Sequence, residues 1–310
     1  MINVYEAIAA NKRKSIFVIV GFIIFITAAV YFLSQAMGIY LGYEPGGLGA
    51  VGIAFIISGL MSLGGYWFSD KIVLGISQAR PADKKRDYKF YSVTENLVIG
   101  TGLPMPKLFV INDTAPNAFA TGRDPKHAVI CATSGLLEKL DRSELEGVIA
   151  HELSHVRHYD TRLMSVVVVL VGTVALLADW FLRMSFWGRH RDNDREGNQM
   201  QVVLLVLGLL FAILAPIIGK LIQLSISRRR EFYADAGAVE ITRQPDGLIS
   251  ALKKISADTE ALEAANKATA HLYIVNPFKG KVSGAVNTFS GLFNTHPPLS
   301  ERIKTLSQMT

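Results

Sequence analysis

Four long runs almost free of charge constrain this 310-residue chain most. They are Ser15–Ser34, Gly46–Phe68, Leu163–Leu182 and Met200–Gly219, and only the third contains a charged residue, Asp179. About 20 consecutive apolar residues suffice to cross a bilayer. Buried core helices of a soluble fold seldom lack charge over such lengths. The expectation is therefore an α-helical multi-pass membrane protein. Asn11-Lys-Arg-Lys14 precedes the first run, as in a signal peptide, but the run exceeds the ~7–15 apolar residues of a signal core. An uncleaved anchor fits better.

The runs divide the chain into four parts: a membrane hairpin over 1–70, a polar segment over 71–162, a second hairpin over 163–219 and a second polar segment over 220–310. Basic residues orient them, because Lys and Arg concentrate in cytoplasmic loops. Lys12–Lys14, the group from Lys71 to Lys89 and Arg228–Arg230 all fall on one side, and the Gln35–Pro45 loop has neither Lys nor Arg. The N-terminus and both polar segments are expected in the cytoplasm, on the inner face of the cell membrane. The loop carrying Arg189, Arg191 and Arg195 runs against this pattern. The net charge of +6 fits an anionic bilayer surface, and nothing beyond charge points to nucleic acid. The single cysteine, Cys131, excludes an internal disulfide and is expected as a buried apolar residue. No feature specifies an oligomeric state.

In the first polar segment a helix is expected around Lys84–Ile99, followed by short strands at Lys107–Ile111, Asn117–Thr121 and His127–Cys131. Thr133 or Ser134 starts a short helix. Asp141 and Glu144 have the spacing of a capping box and begin a longer one. The second polar segment reads as mainly helical.

The Asp141 helix contains His151-Glu152-Leu153-Ser154-His155, an H-E-x-x-H pattern. Histidines four apart share a helix face, so both imidazoles reach one ion, and Glu152 beside them reaches the attacking water. With 7 histidines in the chain, chance supplies roughly 0.007 such matches. His158 lies about 10.5 Å of helix rise from His151 and does not join it on one ion. Glu231 is the expected third ligand. Asp235, one turn on, is expected to accept a hydrogen bond from His151. Two spans separate His155 from Glu231, and an even number of crossings returns the chain to the same side.

With these motifs the chain resembles the HtpX-type membrane zinc metalloproteases, which are related to the CAAX prenyl proteases. The resemblance rests on His-Glu-Leu-Ser-His at 151–155, Arg228-x-Arg230-Glu231-x-x-Ala234-Asp235, Asn117-Ala-Phe-Ala-Thr-Gly122, His296-Pro297 and their order among the spans. It implies a zincin (gluzincin) catalytic domain, mostly helical with a small antiparallel sheet. It also implies one Zn2+ per subunit, degradation of damaged membrane proteins, and substrate binding along an edge strand at Asn117, Ala118, Phe119 and Ala120. The residues alone fit an ordinary sheet edge equally well. The expected reaction is peptide hydrolysis, with Glu152 as general base. The residues alone favour His296, held stiff by Pro297 and Pro298, as a chain turn and helix cap; the resemblance makes it the expected oxyanion donor, with Tyr233 as its rival. A specific prenyl-protein processing protease and a membrane scaffold with a structural zinc are the competing functions.

Overall fold

In the computed structural model, residues 4–41, 47–169, 228–263, 272–275 and 297–309 are described, together with 179, 183, 202, 206, 208, 209 and 269. Most of the third and fourth apolar runs, and His296, lie outside these residues. The first run falls within a long helix, α1 (Val4–Leu41), and all but the end residues of the second form α2 (Gly47–Trp67). At 38 residues α1 is about 57 Å long. It absorbs the Asn11–Lys14 segment expected to precede it. Ile16, Phe17 and Ile24 on α1, and Ile53, Phe55, Ile56 and Leu60 on α2, are exposed. Counted over the described residues alone, no helix is long and apolar enough to cross a membrane.

A short helix α3 (Ser69–Ile76) leads to a two-residue strand β1 (Arg80–Pro81). Helix α4 (Tyr88–Thr101) replaces the expected Lys84–Ile99 helix, because Asp83 first caps a turn by accepting from the N–H groups of Lys85 and Arg86. It ends on Gly102 in the left-handed region, at φ 69°. Strands β2 (Lys107–Ile111), β3 (Ala118–Thr121) and β4 (Val129–Thr133) complete a four-stranded sheet of order β1-β2-β4-β3.

The sheet is mixed, which corrects the antiparallel expectation. β1–β2 and β4–β3 are antiparallel, while β2–β4 is parallel. All five residues of Val-Ile-Cys-Ala-Thr are buried, so β4 takes an inner position with both faces covered. It slips between β2 and β3 and runs alongside β2. The strand expected at His127–Cys131 shifts two residues on, since Pro125–His127 forms a 3-10 turn capped by Asp124. Cys131 is fully buried and free, and burial pushes its thiol up.

Thr133 caps α5 (Ser134–Lys139), accepting from Leu136 N at 3.2 Å. Helix α6 (Arg142–Arg157) begins at the expected capping box. Asp141 Oδ1 accepts from Glu144 N at 2.9 Å, and Glu144 Oε2 accepts from Asp141 N at 2.8 Å. Besides α4, two helices pack on α6: α7 (Arg228–Thr242) and α8 (Pro245–Ala257). Glycine makes both approaches possible. A Cβ at Gly237 would overlap Ser154, and one at Gly147 would overlap the backbone of Leu248. The last helix, α9 (Leu299–Leu306), closes on α7 and α8. The core joins α4, α6, α8 and one face of the sheet through Phe90, Leu108, Ile130, Leu145, Val148, Ile149, Leu153 and Leu252.

Candidate active site

His151, Glu152 and His155 lie on α6, and their side chains are buried by the packing of α7 and the sheet. The imidazoles face each other, Nε2 to Nε2, at 3.2 Å. Glu231, in the first turn of α7, places Oε2 3.7 Å from His151 Nε2 and Oε1 3.6 Å from His155 Nε2. The group His151–His155–Glu231 offers ligand atoms that all lie within 4.8 Å of one another.

The far nitrogen of each imidazole is held by a carboxylate. His151 Nδ1 lies 3.0 Å from Asp235 Oδ1, the pairing expected from the sequence, and His155 Nδ1 lies 3.1 Å from Asp160 Oδ2. These carboxylates orient the rings and turn the Nε2 lone pairs inward, as around metal-ligating histidines. Two ring nitrogens and a carboxylate converging in a buried space call for positive charge between them, a proton or a metal cation. Two nitrogens bound to one tetrahedral zinc at about 2.0–2.1 Å would stand about 3.3–3.4 Å apart, close to the spacing seen. The donor set therefore fits a divalent metal.

The two histidines differ electrostatically. Burial pushes His151 down to about 4, against the pull of Asp235 and with the help of Arg302. For His155 burial also opposes the charge, but Asp160, Glu231 and Glu152 overcome it and raise the ring to about 9. Glu152 is buried, and its charge acts on both His155 and Arg302, so it belongs to the same cluster.

Three residues of the site were not anticipated. Arg302, on α9, is fully buried and grips Asp235 with two bonds, Nη2–Oδ1 at 2.6 Å and Nε–Oδ2 at 2.9 Å. Its Nη1 lies 3.5 Å from Glu231 Oε2. Burial resists a charge on Asp235, yet Arg302 and His151 hold its carboxyl below the usual range. Asp160 opens the helical stretch 160–169 that follows α6, and it joins distant parts of the chain. Asn11 Nδ2 donates to it at 2.7 Å, and Arg230 Nη1 lies 3.5 Å away. An acidic residue five positions after the second histidine was the available signal for Asp160. Arg302 and Asn11 carried none.

The other expected residues fall as follows. His158 caps α6 and contacts Ser154 Oγ at 3.4 Å, outside the metal group. Tyr233 is 40% exposed. Two residues along a helix is about 200° of turn, so it faces away from the Glu231 side. Asn117–Ala120 lie at and along β3, the outer strand of the sheet, but the strand is buried throughout. Its far side is covered by Leu272–Val275, so the open edge expected there is occupied by the chain itself.

An H-E-x-x-H helix, a carboxylate from a second helix and a small sheet beside them define a metallopeptidase. Residues 84–310 match Peptidase family M48, and the chain belongs to that family. It is 43% identical over 309 residues to a "Protease HtpX homolog" of Caldanaerobacter subterraneus subsp. tengcongensis, covering 99% of this chain and 98% of that one. A second, from Dictyoglomus thermophilum, is 44% identical over 305 residues, covering 98% and 94%. Among solved structures, the crystal structure of S. mikatae Ste24p covers 97% of this chain and 67% of its own. The two share 16% sequence identity at a TM-score of 0.43. The family fixes the activity as metalloprotease.

Proposed function

We propose that this chain is a membrane-embedded zinc endopeptidase that cleaves misfolded or damaged membrane proteins at the cytoplasmic face. The observation that carries this reading is the facing pair of histidine nitrogens at 3.2 Å, each backed by its own carboxylate and closed by Glu231. His151, His155 and Glu231 are assigned as ligands, a donor set that suits zinc. The exposed apolar side chains of α1 and α2 support a bilayer around the hairpin over 1–70. The 163–219 hairpin is assigned by its sequence, and the basic residues support a cytoplasmic position for 71–162 and 220–310.

Zinc, when bound, supplies Lewis acidity and lowers the pKa of water toward ~7. Glu152 takes a proton from the attacking water and delivers it to the leaving amine. Asp235 and Asp160 keep both imidazoles turned inward, and Arg302 offsets the buried charge of Asp235 and Glu231. His296 is assigned as oxyanion donor. Tyr233 loses ground as its rival because of its outward position. A substrate strand reads against β3 through main-chain hydrogen bonds, which demand little sequence preference and suit a broad substrate range.

The test is cleavage of an unfolded membrane protein by the purified chain in detergent, with and without chelator, beside Glu152→Gln. The chelator is expected to abolish cleavage and zinc to restore it. Glu152→Gln should hold zinc and remain inactive. Cleavage that survives both would overturn the proposal.

A further inference from the structure

Neighbouring residues of a strand send their backbone groups to opposite sides. On β3 the inner side is fixed by Asn117 O, which accepts from Thr133 N at 2.9 Å. Ala118 and Ala120 therefore turn their N–H and C=O groups outward. This outer side is where a substrate strand would add.

That side already holds a peptide. Ile274 N donates to Ala118 O at 3.0 Å. The Asn117 carboxamide then clasps the next residue on both polar groups: Nδ2 donates to Val275 O at 2.9 Å, and Oδ1 accepts from Val275 N at 3.3 Å. Oδ1 also accepts from Ala118 N at 3.1 Å, which fixes the carboxamide in register with the strand. These contacts touch only main chain, so they would hold any residue at that position. The side chains pack apolar surface. Tyr273 meets Phe119 edge to face with ring centres 5.1 Å apart, and Ile274 and Val275 join the cluster that contains Ala118 and Ala120. The segment makes no regular ladder with β3 and forms no strand of the sheet. Among the described residues one main-chain bond joins it to β3, so its hold on the edge lies mainly in the Asn117 carboxamide and in four buried apolar side chains.

We infer that Leu272–Val275 is a resident substrate mimic: it occupies the edge that reads substrate, and an incoming chain must displace it. The segment is itself a 3-10 turn followed by bends, so what it specifies for an incoming chain is side-chain chemistry, an apolar stretch with an aromatic residue over Phe119. Such stretches are exposed when a membrane segment unfolds. The inference rests on the assignment of β3 as the substrate edge.

Steady-state cleavage of an extended apolar reporter peptide by the zinc-loaded full chain in detergent tests it. Ile274→Pro removes the N–H that bonds Ala118 O. It should lower KM about two- to tenfold, the scale of one hydrogen bond, and leave kcat unchanged. A capped Leu-Tyr-Ile-Val peptide should inhibit competitively, and more tightly against Ile274→Pro than against the parent. An unchanged or raised KM in folded, metal-loaded Ile274→Pro, or non-competitive inhibition by the peptide, overturns the inference. Should Ile274→Pro not fold, amide exchange in Glu152→Gln decides. Added reporter peptide should speed exchange at Ile274 and Val275, and unaltered exchange counts against displacement. Amide exchange in Glu152→Gln separates the two levels. If added reporter peptide does not protect the outward Ala120 N–H, the edge itself is misassigned; if it protects Ala120 while exchange at Ile274 and Val275 is unaltered, only the mimic is wrong.

Discussion

Arg302 Nη2 stands 2.6 Å from Asp235 Oδ1, in a contact where neither side chain meets solvent. The same guanidinium lies 3.5 Å from both Glu231 and His151. The C-terminal helix thus supplies the counter-charge for two buried carboxylates of the site. Removing one partner of a buried ion pair strands the other, at a cost of about 3–5 kcal/mol. Arg302→Ala is expected to lower thermal stability by that order. Arg302→Lys should recover only part of it, since an ammonium cannot make the forked contact. Calorimetric melts of the three proteins, with zinc and with chelator, check both statements.

Asp160 is expected to act on the metal through His155. Asp160→Asn keeps the shape but weakens the hold on Nδ1, and the loss of such a partner costs roughly 10–100-fold in metal affinity. Competition with a fluorescent zinc chelator measures it. Wild-type affinity in the folded variant would show that Asp160 does not set the ring.

His296→Ala is expected to retain zinc and fold while kcat falls by roughly 10²–10³, the scale of one oxyanion donor. Tyr233→Phe should leave kcat unchanged, given its outward position. The opposite pattern in single-turnover rates would exchange their roles.

Glu144 sets an acid limit on α6. Burial opposes its charge, but Lys254 at 2.7 Å, Ser250 at 2.6 Å and the Asp141 N–H at 2.8 Å hold its carboxyl below the usual value. Unfolded, it titrates near about 4.3. The unfolded chain binds the extra proton, so this contribution is complete above that value and is lost as pH falls through the lower, folded one. Glu144→Gln should therefore be less stable at pH 7 and lose less on acidification between roughly pH 5 and 3. Parallel slopes in urea melts across that range would remove Glu144 from the acid response.

What could be read in advance was local. Asp141 and Glu144 lie three apart, His151 and His155 four, Glu231 and Asp235 four, and helix geometry converts each spacing into a shared face. β2 appeared at its expected bounds because its apolar run ends in Asn112-Asp113. Contacts across the chain left no such trace. Asn11 and Asp160 are separated by 149 positions, and His151 and Arg302 by 151. The parallel β2–β4 pairing was hidden for the same reason: whether a third strand packs outside or between two others depends on burial from both faces. The segment covering β3 followed from no motif, since Leu-Tyr-Ile-Val reads as any apolar stretch.

Asn11 sits on α1, outside the 84–310 stretch shared with the peptidase family. It donates to Asp160, which in turn holds His155, and its Oδ1 meets Arg230 at 3.3 Å. The stretch shared with the family is therefore not a detachable cartridge. Trimming the chain back to the family boundary would remove one of the contacts that hold the carboxylate behind His155, so the first helix serves the chemistry of the site.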